Sequence, residues 1–420
     1  MPETIDLELT AMAHGGSALG RARIPGAGSG RAHVMFVPYT IPGETVRVDV
    51  TQVQARWANA QLLKVLEPSP HRVVPPCPHF GPGKCGGCHF QHISYEAQAE
   101  FKREVVLDQL RRIGGLEDAN VQGIIGAAEP WGYRNHAQLS VTPGGELGFL
   151  TGDTHNVVPV KECLILDPLL DDLWAALDME WPQLHRLHLR CGSATGDLLA
   201  VFELDHYEDF DIQVDFPVSC VLLLADGEVV VLMGNPFYRE HVAGRDFRVS
   251  AGSFFQVNSG GAEALVSLVD DYLALSGDER LVDLYCGVGL FSLSLAGSVV
   301  HMIAVESDSS AVADFRHNAR DLENVTLIEG TAGRILPRIE GPVDGLILDP
   351  PRSGAGDQVV DEIVRLAPSR VVYVSCDPAT LARDARRLTG TGYRLDQVQP
   401  VDLFPQTYHV ESVALFIRDA

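Results

Sequence analysis

From about residue 251 to the C-terminus, short apolar runs alternate with stretches of helical periodicity. The runs are LVDLYC (281–286), HMIAVES (301–307), VTLIEG (325–330), GLILDPP (345–351) and VVYVSCDP (371–378), and the helical stretches include AVADFRHNARDL (311–322) and ATLARDARRLTG (379–390). Strands that are apolar along their whole length suit a parallel sheet covered on both faces, and helices between them supply the cover. This pattern predicts a doubly wound α/β domain over 251–420. Open sheets of this kind bind ligands at the carboxyl ends of their strands, so chemistry is expected where each apolar run stops.

The first run ends in Cys286-Gly287-Val288-Gly289 and passes into a helix. Glycines there let a ligand approach the backbone and the helix N-terminus. The next run ends in Glu306, whose carboxylate can accept both hydroxyls of a ribose. A third glycine at the dinucleotide spacing is missing, which disfavours NAD and leaves S-adenosylmethionine as the best fit. At the end of the fourth run stands Asp349, before Pro350-Pro351-Arg352. The prolines stop pairing and fix a rigid corner. Enzymes that methylate exocyclic amines commonly place an aromatic after this pair, and Arg352 in its place argues for a different target atom.

The fifth run ends in Cys376, with a helix expected from Pro378 or Ala379 and Asp377 as its N-cap. A thiol beside a helix N-terminus is expected to have its pKa drawn below the usual ~8.5, as a nucleophile needs. Cys286 is the rival thiol, expected instead to line the cofactor site. Near the C-terminus His409 and Glu411 enter a last apolar strand, where a carboxylate can face the same sheet edge and act as a base. Thiol, carboxylate and methyl donor together suit methylation of a pyrimidine ring carbon. Carbon 5 of uracil is too weak a nucleophile unaided. Thiolate addition at carbon 6 makes it enolate-like, and a base then removes the carbon-5 proton as the thiol leaves.

Upstream the pattern differs. Residues 1–70 hold short apolar runs between turn signals (GGSALGR, IPGAGSGR, YTIPGE), and VRVDVTQVQ alternates with period two. They predict a small closed barrel of the oligonucleotide-binding kind. PSPHRVVPP reads as a linker. A central domain is expected over 71–250. Within it, SYEAQAEFKREVVLDQLRRI (94–113) reads as a helix with Phe101, Val105, Leu107, Leu110 and Ile113 on its apolar stripe, stopped by Gly114-Gly115 and a candidate to pack on the catalytic domain. Hairpins are expected across Pro143-Gly144-Gly145 and Asp226-Gly227.

Cys77, Cys85 and Cys88, followed by the distant Cys163, give four thiolate ligands. Such a set suits an iron–sulfur cluster or a zinc site, and the spacing alone leaves both open. The other cysteines are sparse and unevenly spaced, which excludes a disulfide framework. No run approaches 18 apolar residues, so no membrane span is expected, and the N-terminus has no secretory pattern, so a cytoplasmic protein is expected.

At these residues the chain resembles the RNA 5-methyluridine methyltransferases that act on tRNA or 23S rRNA. The resemblance runs from a TRAM-like barrel through CGGCHFQH, FFQVN, LYCGVGLF, DPPR and SCDP to the final HVES. It implies Cys376 as nucleophile and Glu411 as base, and S-adenosylmethionine contacts from Gln256, Tyr285, Glu306 and Asp349. It also implies a [4Fe–4S] cluster on Cys77, Cys85, Cys88 and Cys163, with a structural or RNA-positioning role. In one departure, Leu290 stands where the family commonly has an asparagine that gives the cofactor a polar contact. Two rival readings remain. An RNA cytosine-C5 methyltransferase would carry its thiols in Pro-Cys and Thr-Cys contexts, which 281–420 lacks. A non-catalytic iron–sulfur RNA-binding protein would not need Cys376 and Glu411.

The formal charge of −24 disfavours indiscriminate binding to phosphates. Its distribution is uneven. Residues 1–120 carry twelve Lys and Arg against twelve Asp and Glu, whereas 121–300 carry eight against 26. RNA is therefore expected to dock on an Arg-bearing face spanning barrel, cysteine cluster and catalytic edge, with the acidic middle turned outward. The expected partner is RNA, with neither DNA nor membrane, and the expected state is a monomer.

Overall fold

A computed structural model describes residues 4–24, 31–152, 156–177, 184–207 and 213–419. Five strands open the chain: β1 (Thr4–Met12), β2 (Ala18–Ala22), β3 (His33–Val37), β4 (Thr45–Val53) and β5 (Trp57–Glu67). They close into a barrel in the order β1-β2-β3-β5-β4. The alternation in β4 works as expected, with Val46 and Val48 inside and Arg47 outside, where it pairs with Asp6. The glycine-rich corner expected in IPGAGSGR falls on 25–30, outside the described residues.

The segment read as a linker is tied down. Glu44, wholly buried, accepts from the backbone N–H groups of Ile41 and Ser69 and from Arg72, whose Nη2 lies 2.7 Å from Oε2. A buried carboxylate needs such a full set of donors, so Arg72 folds back onto the barrel.

Helix α1 (Tyr95–Arg112) ends just before Gly114 and Gly115. Its buried face differs from the apolar stripe expected. Ala97, Gln98, Lys102, Val105, Val106, Gln109 and Leu110 are buried, while Ile113 is exposed. Gln98 and Lys102 lie on that face because each has a partner across the interface, Gln406 and Asp402 respectively, whereas Gln109 bonds its neighbour Asp108.

The central region builds a seven-stranded sheet from β6 (His136–Val141), β7 (Leu147–Leu150), β8 (Val157–Pro159), β9 (Arg186–Cys191), β10 (Leu198–Leu204), β11 (Ser219–Leu224) and β12 (Val229–Met233), with α2 (Pro168–Ala176) packed against it. The order is β12-β11-β10-β9-β6-β7-β8, and both expected hairpins, β6–β7 and β11–β12, are present. A two-stranded ribbon, β13 (Phe237–Val242) and β14 (Arg245–Ser250), leads into the last region.

There α3 (Ser259–Leu273), β15 (Arg280–Leu284), α4 (Leu290–Leu295), β16 (His301–Glu306), α5 (Ser309–Asn318), β17 (Val325–Glu329), α6 (Ala332–Ile335), β18 (Gly345–Leu348), α7 (Asp357–Leu366), β19 (Arg370–Ser375), α8 (Pro378–Thr389), β20 (Tyr393–Val401) and β21 (Glu411–Arg418) follow in turn. The sheet order is β17-β16-β15-β18-β19-β21-β20. β15 to β19 are parallel, and β21 runs antiparallel between β19 and β20. Successive residues face opposite cores. Leu281, Ala304, Ile347 and Val372 join one, and Val282, Val305, Leu346 and Tyr373 the other. This double burial is why the strands are apolar throughout. Helix α1 closes the second core with Val106 and Leu110. Among the described residues no helix is long and apolar enough to cross a membrane.

Candidate active site

The strand ends meet along one edge of this sheet. After β15 the chain turns through Tyr285, in a left-handed conformation (φ 63°), and both Tyr285 N–H and Cys286 N–H donate to the Val305 carbonyl. Non-glycine residues pay for that conformation, and such strain gathers at functional positions. Gly289 starts α4 at φ 105°, and a Cβ there would lie 2.6 Å from Leu293 Cγ, so the turn requires glycine. Phe254, Phe255, Gln256, Tyr285, Cys286, Gly287, Leu290 and Asp349 line one cavity over this turn. Gln256, Tyr285 and Asp349, three of the four residues expected to contact the cofactor, are thus brought together, with Cys286 beside them.

Glu306, the fourth, stands beside that cavity. Its Oε2 accepts from Gly287 N–H at 2.9 Å and its Oε1 from the N–H groups of Ser307 and Asp308. These bonds fix a carboxylate against the glycine turn. Beneath lies Asp283, fully buried, accepting from Ser292 N–H at 3.0 Å and from its hydroxyl, with Oδ1 unpartnered. Burial lifts its pKa to about 7. The Asp349 carboxyl is raised as well, by burial and by Asp283. Two carboxyls held near neutrality next to an unpartnered oxygen make a setting that a bound cation would stabilise.

On β19 and β21, Ser375 pairs with Ser412, so Cys376 and Glu411 stand side by side at the strand ends. Asp377 caps α8 as expected, its Oδ1 accepting from Ala379 and Thr380 N–H. The thiol does not behave as expected, however. Burial, Glu411 and Asp349 push the Cys376 pKa up to about 12, against a smaller downward pull from Arg352. The helix N-terminus fails to lower it because Asp377 takes up its donors and adds a further negative charge. Glu411, buried, is also raised well above the carboxylate range, by burial and by Asp349.

Cys77, Cys85, Cys88 and Cys163 line a single cavity of about 260 Å³, together with Arg134, Phe404, Thr407 and His409. Burial pushes the Cys88 thiol up to about 12, and the other three thiols add to the shift. Among the described residues no group of three His, Cys, Asp or Glu side chains is placed to hold a single metal ion.

Two features escaped the sequence. Lys102 Nζ lies 2.6 Å from Asp402 Oδ1, both fully buried, and His14 in the β1–β2 turn lies 3.2 Å from Asp377 Oδ2. The spacing of Gln98, Lys102 and Gln109 among buried valines carried a signal for the first. Nothing local marks His14.

A barrel joined to a doubly wound sheet, with a cavity over its glycine turn and a thiol–carboxyl pair at the strand ends, suits a methyltransferase with an accessory nucleic-acid-type module. The family model described as tRNA (uracil-5-)-methyltransferase matches residues 229–337 and 338–419. A relative named as an uncharacterised RNA methyltransferase, from Thermosynechococcus vestitus, is 38% identical, over 98% of this chain and 97% of its own. One from Streptomyces avermitilis is 35% identical, over 99% and 98%. The solved structure of Pyrococcus abyssi tRNA (uracil-54, C5)-methyltransferase with S-adenosyl-L-homocysteine superposes with a TM-score of 0.76 at 25% identity, covering 98% of this chain and 100% of that one. The chain belongs to the tRNA (uracil-5-)-methyltransferase family and is an RNA methyltransferase.

Proposed function

We propose that the protein transfers the methyl group of S-adenosylmethionine to carbon 5 of a uridine in structured RNA, tRNA or 23S rRNA, with Cys376 as nucleophile and Glu411 as base. The pairing of Ser375 with Ser412, which sets these two side chains together beside the cofactor cavity, carries the reading. Gln256, Tyr285 and Asp349 contact the cofactor from the cavity wall, and Glu306 meets the ribose. Cys376 gives up its S–H proton as its sulfur adds to carbon 6, and carbon 5 takes the methyl group. Glu411, in its ionised form, removes the carbon-5 proton, and the C6–S bond breaks to restore the ring and release a thiolate that regains its proton. Burial and the neighbouring carboxyls oppose ionisation of the Cys376 thiol, and the positive charge of a bound sulfonium would favour it. The test is a denaturing gel of protein, S-adenosylmethionine and 5-fluorouridine RNA. A covalent band through Cys376 is expected, and its absence with every tRNA and rRNA fragment would refute the reading.

Cofactor affinity should depend on pH. Asp283, its pKa lifted to about 7 by burial, is mainly neutral at pH 6 and mainly ionised at pH 8, and the Asp349 carboxyl is raised too. A sulfonium ligand favours the ionised forms, so calorimetry should show S-adenosylmethionine binding more weakly at pH 6 than at pH 8, by about tenfold for one linked proton with a pKa near 7. Equal affinity at both pH values would count against these carboxyls.

The cysteine cavity is much larger than the ~30 Å³ share of a water molecule, and four thiolates suit a polynuclear iron–sulfur centre. In this reading Cys77, Cys85, Cys88 and Cys163 hold a [4Fe–4S] cluster, which supplies rigidity to the walls around it. Anaerobically purified protein should be brown and contain iron. Stoichiometric zinc without iron would reverse the assignment.

RNA would approach over the barrel side of the catalytic edge, where His14 reaches Asp377 and Arg352 faces the thiol. The charges that act on Cys376 all come from residues 349–411, not from the acidic middle. The enzyme is taken to work in the cytoplasm as a monomer.

A further inference from the structure

We infer that helix α1 and Tyr133 position the catalytic base: Gln98, Lys102 and Tyr133 set the β20–β21 loop that delivers Glu411. The inference rests on the reading of Glu411 as the base. Glu411 Oε1 is buried and makes no hydrogen bond. Its place is therefore governed by the backbone that carries it.

That backbone, residues 402–410, has no regular structure of its own; Thr407 N–H and Oγ1 donate to the Phe404 carbonyl, and most other donors to its carbonyls come from elsewhere. The donors come largely from residues 89–133. Lys102 Nζ donates to the Phe404 carbonyl at 3.0 Å, besides its bond to Asp402. Tyr133 OH donates to Pro405 at 3.0 Å. The N–H groups of His89 and Phe90 both donate to Gln406. Gln98 grips Gln406 at both ends, its Oε1 accepting from the backbone N–H and its Nε2 donating to Oε1, each at 3.0 Å.

Gln406 is held in the left-handed region, at φ 66°, while almost wholly buried. A non-glycine residue stays there only when its surroundings over-determine it. The buried Lys102–Asp402 pair fits the same purpose, since such pairs contribute little net stability and serve better to select one arrangement. The base thus sits on a strand of the catalytic sheet but is aimed by a helix some 300 residues earlier in the chain.

The two halves of the reaction separate this role from a general loss of structure. Attack by Cys376 and methyl transfer do not need the base, and with 5-fluorouridine RNA there is no carbon-5 proton to remove. In the full chain, Gln98→Leu is expected to lower turnover of uridine RNA by about 10²-fold, the effect of misplacing a reacting group by about 1 Å. The single-turnover yield of the 5-fluorouridine adduct should stay within about twofold of wild type. Tyr133→Phe removes one oxygen from a buried site and keeps the test usable if Gln98→Leu folds poorly. It is expected to show the same split at about fivefold, the value of one hydrogen bond. Equal falls in turnover and adduct yield, or unchanged turnover in both variants, would overturn the inference. A wild-type protein that forms no adduct would instead refute the reading of the reaction, and the positioning role with it.

Discussion

Cys376→Ala is expected to form no covalent band with 5-fluorouridine RNA and to lose turnover on the order of 10⁶-fold, the scale seen when a covalent nucleophile is removed. Cofactor binding should survive, because Cys376 does not line the cavity over the glycine turn. The retained binding makes the result specific: a protein that still binds S-adenosylmethionine but cannot activate carbon 5 has lost one chemical step. Residual turnover within tenfold of wild type would show that another group, with Cys286 the first candidate, performs the attack. Cys286 is poorly placed, since it lines the cavity over the glycine turn and not the strand ends where Glu411 stands.

Glu411→Gln should act later. The amide matches the carboxyl in size and can occupy the same buried place, but it cannot take a proton at carbon 5. Turnover should fall about 10²- to 10⁴-fold, the range for loss of a general base. Ordinary uridine RNA should now remain attached to Cys376, so that a covalent species survives denaturation without any fluorine. Loss of turnover with no trapped species would place Glu411 before methyl transfer, and unchanged turnover would remove it from the mechanism.

Most of this site could be read from the chain, because the fold places chemistry where apolar runs stop. Tyr285, Glu306, Asp349 and Cys376 each follow such a run, and the run itself reports a strand buried on both faces. What local pattern could not report is electrostatic environment. Beside Cys376 the helix N-terminus suggested a lowered thiol pKa, but Glu411 and Asp349 come from other strands and reverse the sign. β20 was not anticipated, since Gln397, Gln399 and Pro400 interrupt its apolar residues and its ladder shifts register near Leu395. Lys102 on a helix suggests a solvated charge, and only the fold supplies Asp402. The closed N-terminal barrel was legible from the alternation in β4, whereas the return of Arg72 to Glu44 depends on a residue 28 positions away.

The placement of β21 also bears on the order of synthesis. The strand bearing Glu411 is inserted between β19 and β20, so the sheet is completed by the strand made after all its neighbours. Domains form from the N-terminal side as a chain leaves the ribosome. A growing chain can then carry a folded barrel, its cysteines and the thiol of Cys376 while the partner carboxyl, 35 residues further on, is still being translated. In the proposed reaction the unfinished protein lacks its base through that interval, and turnover waits until β21 has paired between β19 and β20.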